Sequence, residues 1–124
     1  MSQPDSQFST LAHRYLEVFN TTDPTQRRAL IERLFTSGAT YTDPLATVTG
    51  WDGIDTFVAG AQRQFAGLSF ELGEQVDGHH HIARFQWRLG QGGTSEPIVI
   101  GFDVIVTEGE HISGVYGFLD KVPA

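Results

Sequence analysis

The chain contains no cysteine, which excludes disulfides, thiolate nucleophiles and zinc sites built on cysteine. Basic residues are scarce: 8 Lys and Arg stand against 15 Asp and Glu, a formal net charge of −7. Such a chain repels phosphate backbones and anionic lipid head groups, so neither nucleic acid nor a membrane is an expected partner. Long apolar runs are missing too, since no window approaches the ~18 consecutive apolar residues of a membrane-spanning helix. Met1 to Gln7 have no basic start followed by an apolar stretch, so no secretory signal is read and a cytoplasmic location is expected. With 5 Pro among 124 residues and 40% hydrophobic content, the composition is that of a packed chain with one core. A single domain over residues 1–124 is expected.

The front half has helical periodicity. Phe8, Leu11, Ala12, Tyr15, Leu16 and Phe19 fall on one face of a helix, with His13, Arg14 and Glu17 off the stripe. Asn20-Thr21-Thr22 ends it, and Asp23-Pro24 restarts the chain as N-cap and first helical residue. Leu30, Ile31, Leu34 and Phe35 form the buried face of a second helix with Gly38 as its stop. A third helix is predicted from near Asp52 to Gly67, with Ile54, Phe57, Val58, Ala61 and Phe65 inward. Between the second and third, Ala39 to Asp43 is short and extended, because Pro44 biases Asp43 away from helical geometry.

After Gly67 the period changes to that of strands. Leu68, Phe70 and Leu72 alternate with polar residues, Asp77-Gly78 predicts a turn, and His81 to Leu89 alternates Ala83, Phe85, Trp87 and Leu89 against Ile82, Arg84, Gln86 and Arg88. Gly90-Gln91-Gly92-Gly93 connects to strands at Pro97 to Thr107 and His111 to Leu119. The order predicts an α+β fold: a cone-shaped, curved antiparallel sheet wrapped around three N-terminal helices. Ile98, Val99, Ile100, Phe102, Val104, Ile105 and Val106 make one strand apolar on both faces, although the helices cover only one. A homodimer through the outer sheet face is therefore expected.

The interior of such a cone is a natural pocket for a small hydrophobic molecule. Tyr15 lies in the inward stripe, where it is either a core aromatic or a pocket donor. Asp43 either closes an Asp-Pro turn or faces the pocket. Asp103 interrupts an apolar strand and must be paired or protonated, since an isolated buried carboxylate costs several kcal/mol. Which face of the 81–89 strand lines the cone is open, because one residue of slip after Asp77-Gly78 exchanges the faces. An inward Arg84 or Arg88 would keep Asp103 ionised, whereas an inward Trp87 would leave it in an apolar site.

The stretches Arg14 to Asn20, Ala39 to Pro44 and Ile100 to Asp103, with the helix through Gly50, Ile54 and Phe57, resemble the nuclear transport factor 2-like superfamily over nearly the whole chain. Within it the chain is similar to SnoaL-like proteins and ketosteroid isomerases. That resemblance implies a cone-shaped α+β barrel, a dimeric habit and proton transfer beside a ketone. Asp43 would be the base, while Tyr15 and Asp103 would donate hydrogen bonds to the enolate oxygen. The superfamily also holds non-catalytic binding domains, polyketide cyclases, dehydratases and epoxide hydrolases, and fold alone does not choose among them.

Phe57, Phe65, Trp87, Tyr116 and Phe118 are the candidate substrate-binding aromatics. No cofactor motif is present, and Gly90 to Gly93 lacks the following Lys and Ser or Thr of a phosphate cradle. His79-His80-His81 sits beside a turn with side chains on alternate sides, so no metal site is expected.

Overall fold

The computed structural model describes residues 4–73, 76–92 and 96–123, with side chains from Gln7 onward. Met1 to Gln3, Gly93 of the glycine connection and Ala124 lie outside the described residues. Helix α1 (Pro4–Asn20) turns the expected stripe inward, burying Phe8, Leu11, Ala12, Tyr15, Leu16 and Phe19. Helix α2 (Pro24–Leu34) starts as the Asp23-Pro24 pair dictates, with the Asp23 carboxylate accepting the Gln26 N–H at 2.9 Å. It ends at Leu34 and not at Gly38, because Phe35 is already extended and begins strand β1 (Phe35–Thr42) opposite Ile112. Gly38 falls instead within an irregularity of that pairing, between Phe35 and Thr40.

A short strand that the periodicity did not reveal, β2 (Thr47–Thr49), folds back on β1 and leads into helix α3 (Gly50–Gln64). The helix begins at Gly50, two residues before Asp52, with a φ of 81° that favours glycine. The remaining strands are β3 (Ser69–Leu72), β4 (Asp77–His79), β5 (Ile82–Gly90), β6 (Val99–Glu108) and β7 (His111–Lys121). The sheet order is β2-β1-β7-β6-β5-β3, with β4 pairing on the first half of β5. The α+β class stands, but the sheet is mixed and not wholly antiparallel. Strand β1 runs parallel to β7, so everything between them acts as the crossover that a parallel pair requires. The curved sheet is not closed into a barrel; it ends at β2 and β3.

The turn expected at Asp77-Gly78 is a strand. Asp77 pairs with Arg84, Gly78 with Ala83 and His79 with Ile82, which leaves His80-His81 as the two-residue loop, with His80 at a φ of 52°. Glycine at 78 is a matter of space, since a Cβ there would lie 2.8 Å from that of Ala83 and against the Phe8 ring. This register decides the faces of β5. Ala83, Phe85 and Leu89 are buried and Trp87 packs against the core, while Arg84 and Arg88 are exposed on the other side. On β6, Val99, Gly101, Asp103, Ile105 and Thr107 are buried; Ile100, Phe102, Val104 and Val106 are half-buried on the outer face.

A buried cation that the sequence did not announce ties the helices together. Arg27, 7% exposed, donates to Asp55 at 2.7 Å and to the side-chain oxygen of Gln62 at 2.8 Å. Gln62 in turn donates to the carbonyls of Phe19 and Thr21 at the end of α1. Asn20 extends this frame to the sheet by exchanging two hydrogen bonds with the Phe70 backbone, at 2.8 and 2.9 Å. Removing one partner of a buried ion pair strands the other charge, at a cost of roughly 3 kcal/mol. Asp55→Ala should therefore lower the free energy of chemical unfolding by about that amount; a loss below ~1 kcal/mol, the scale of a surface pair, would contradict this role.

Candidate functional site

Helices α1 and α3 and the inner face of the sheet enclose a cavity of about 520 Å³. Its wall is mostly aromatic and aliphatic. Leu16 and Phe19 come from α1, Phe57 and Ala61 from α3, Phe65 from its C-cap, Phe70 from β3, and Trp87 and Leu89 from β5. Among the described residues no Lys, Arg or His lines it, and its carboxyl groups are Asp43 and Asp103. Tyr15, Tyr41, Thr56 and Gln64 supply the rest of its polar lining among the described residues.

The three candidate catalytic residues converge here from separate elements. Tyr15, 2% exposed, is held by the rings of Phe19 and Phe85, with centroids at 5.1 and 5.6 Å. Its hydroxyl hydrogen-bonds the Asp103 carboxyl. Burial, together with the Asp103 charge, raises the Tyr15 pKa well above that of an ordinary phenol, so Tyr15 stays protonated. Asp103 is itself 2% exposed and also accepts the indole N–H of Trp87 at 3.1 Å. Burial pushes its carboxyl up to about 6, while the Tyr15 and Trp87 hydrogen bonds pull down and the Asp43 charge pushes up.

Both alternatives for Asp43 hold at once. Its Oδ1 accepts the N–H groups of Leu45 and Ala46 at 2.8 and 3.0 Å, the expected closure of the Asp-Pro turn. Its Oδ2 accepts the Tyr41 hydroxyl at 2.7 Å, and the residue lines the cavity. Each carboxyl thus has its own tyrosine donor, Tyr15 on Asp103 and Tyr41 on Asp43. Burial raises the Tyr41 pKa strongly, aided by the charges of Asp103 and Asp43, which keeps it a donor. The Tyr41–Asp43 bond was missed although its signal was present: Tyr41 precedes Asp43 by two residues, the strand period, and both line the cavity.

Of the candidate binding aromatics, Phe57, Phe65 and Trp87 lie on the cavity wall, but Tyr116 and Phe118 do not. They are 44% and 51% exposed on the outer face, where Phe118 stacks on Phe102 at 5.0 Å. The inward slot between them belongs to Gly117, which pairs with Asp103. A Cβ on Gly117 would lie 2.8 Å from Asp103 Oδ1 and 3.3 Å from the Asp43 Cβ. The missing side chain is the room that the two carboxyls occupy. The arginines stay outside: Arg84 approaches Asp77 at 3.5 Å, and Arg88 donates to Gln86.

The native state holds the Asp103 proton more tightly than an unfolded chain, for which the ordinary value is 3.8. Stability is therefore expected to fall as pH rises from about 4 to about 6 and to stay lowered above that. Two pH units correspond to on the order of 2–3 kcal/mol. Asp103→Asn should be more stable than the parent by about that amount near neutral pH, with the gain vanishing near pH 4, as read from urea unfolding at both pH values. A variant destabilised equally at both would contradict the assignment.

The SnoaL-like domain family model matches residues 12–114. Among solved structures, a candidate isomerase of the SnoaL-like family from Agrobacterium tumefaciens is 34% identical with a TM-score of 0.86, over 93% of this chain and 98% of that one. A protein of ketosteroid isomerase-like fold from Catenulispora acidiphila, solved with trimethylamine, has a TM-score of 0.70 at 19% identity, over 86% of this chain and 82% of that one. A candidate SnoaL-like polyketide cyclase from Jannaschia has a TM-score of 0.71 at 18% identity, over 97% of this chain and 90% of that one. No curated protein matches. No helix among the described residues is long and apolar enough to cross a membrane. With the family model spanning most of the sequence and a SnoaL-like structure matched along nearly its full length, this chain belongs to the SnoaL-like domain family.

Proposed function

We propose that this protein binds a small, largely apolar carbonyl compound in the cavity and moves a proton on the carbon beside the carbonyl. Asp43 is the base, and Tyr15 and the protonated Asp103 donate to the developing oxyanion. One observation carries this reading: a phenol and a carboxyl pushed up to about 6 meet in an apolar cavity that a second carboxylate also lines. An apolar wall with no basic group among the described residues disfavours anionic ligands and leaves Asp103 without a cationic partner there. Because only protonated Asp103 donates, binding of an oxyanion mimic strengthens as pH falls through about 6.

A second reading, ligand binding without turnover, is favoured by the turn at Asp43, whose oxygens already accept three hydrogen bonds. The two readings part on one variant. Exchange of the α-proton of a cyclic ketone for deuterium, followed by NMR, should be catalysed by the parent. In Asp43→Asn it should fall at least roughly a hundredfold, the usual contribution of a general base. A fluorescent naphthol, which mimics an enol, should still bind that variant within about threefold, a change under ~1 kcal/mol on the scale of a single hydrogen bond. Tyr15→Phe should weaken the naphthol by about a kcal/mol or more. Unchanged exchange in Asp43→Asn would leave only the binding reading.

The proposed assembly is a homodimer formed by the outer sheet face, where Phe102, Phe118, Tyr116, Val104 and Ile82 make an apolar surface. Sedimentation of the parent should give a dimer and that of Phe118→Glu a monomer; a monomeric parent would contradict it.

A further inference from the structure

Trp87 occupies a position that its role as an apolar wall does not require. It sits on β5 directly opposite Gly101 of β6, while Asp103 is opposite Phe85, so Trp87 and Asp103 are diagonal neighbours on the inner face. Diagonal pairs lie ~7–8 Å apart, a span that only aromatic and long side chains cross. The indole crosses it because Gly101 is empty: a Cβ there would lie 2.8 Å from Trp87 Cε2 and 2.7 Å from the Phe118 carbonyl oxygen. On its other side the Phe70 ring meets it edge-on at 5.3 Å. The side chain is thus laid flat across β6 with Nε1 aimed at Asp103 Oδ1, 3.1 Å away.

We propose that Trp87 is a positioning residue whose indole N–H fixes the orientation of the Asp103 carboxyl and sets the pH below which the cavity offers that carboxyl as a donor. The inference rests on the proton-transfer reading above and adds to it the residue that governs its pH range. Two donors reach Asp103 and they differ in kind. The Tyr15 hydroxyl rotates and can accept as well as donate, whereas the indole N–H only donates. Oδ1 therefore remains an acceptor in either protonation state, and the proton falls to Oδ2. A donor that is always present favours the ionised form and opposes the effect of burial. The titratable groups around Asp103 are Tyr15 from α1, Tyr41 from β1 and Asp43 just after that strand. Strand β7 presents Gly117, and the cavity wall of α3 holds no acid or base.

The test follows naphthol affinity from about pH 4 to about pH 8 in the parent, Trp87→Phe, Asp103→Asn and the double variant. Trp87→Phe keeps an aromatic wall and removes the N–H. The midpoint at which affinity is lost should move up by roughly half to one pH unit, so the variant holds more of its low-pH affinity at neutral pH. In the Asp103→Asn background the same replacement should produce no such midpoint. A uniform loss at every pH with an unmoved midpoint would make Trp87 a wall residue only and overturn the proposal, as would a midpoint that moves down. Site-specific replacement of the Trp87 indole N–H by sulfur keeps the shape of the ring, and should reproduce the upward move if the phenylalanine variant folds poorly. If the parent binds no naphthol at any pH, the proton-transfer reading fails separately. The Trp87 claim is then decided by the carbon-13 titration of the Asp103 carboxyl without ligand, where the same upward or absent displacement applies.

Discussion

The burial of one carboxyl, that of Asp103, among neutral donors is the constraint on which the rest of the site depends. A carboxylate in an apolar strand is costly unless hydrogen bonds replace its water, and a guanidinium partner would hold it ionised. Here the replacements are a phenol from α1 and an indole from β5, and the guanidinium groups of β5 lie on the opposite face. Space for the arrangement comes from two glycines on neighbouring strands. Gly117 leaves room beside the carboxyl and Gly101 leaves room for the indole that bonds it. Stability is given up for this, because a proton-holding acid in the core weakens the fold at neutral pH.

The scaffold around the site is rigid where the cavity needs it. Arg27, Asp55 and Gln62 join α2 and α3 to the end of α1, and Asn20 carries that frame to the edge strand β3. The same elements supply cavity walls, Phe19 at the end of α1, Phe57 on α3, Phe65 at its C-cap and Phe70 on β3. Packing that fixes the helices therefore also fixes the shape of the pocket.

Much of this was legible in the sequence, for reasons that are local. The stripe from Phe8 to Phe19, the Asp23-Pro24 cap and the alternation from Ala83 to Leu89 each follow from one element's own periodicity. Asp103 stood out because an acid in an apolar strand has few explanations. What stayed hidden depended on partners distant in the chain. Parallel pairing of β1 with β7 leaves no local mark, and neither does the burial of Arg27, which needs Asp55 and Gln62 from another helix. The faces of β5 turned on placing the loop at His80-His81, and a glycine at 78 chosen for space looked like a glycine chosen for a turn. Tyr116 and Phe118 look like pocket aromatics until Gly117 between them is seen to face Asp103.

The most direct measurement is the carbon-13 shift of the Asp103 carboxyl across pH, in the free protein and saturated with a naphthol. The account predicts a midpoint near 6 in the free protein and a higher one in the complex, where the proton is retained to donate to the ligand oxygen. A midpoint near the ordinary 3.8, unmoved by the ligand, would contradict it and leave Asp103 a structural carboxylate.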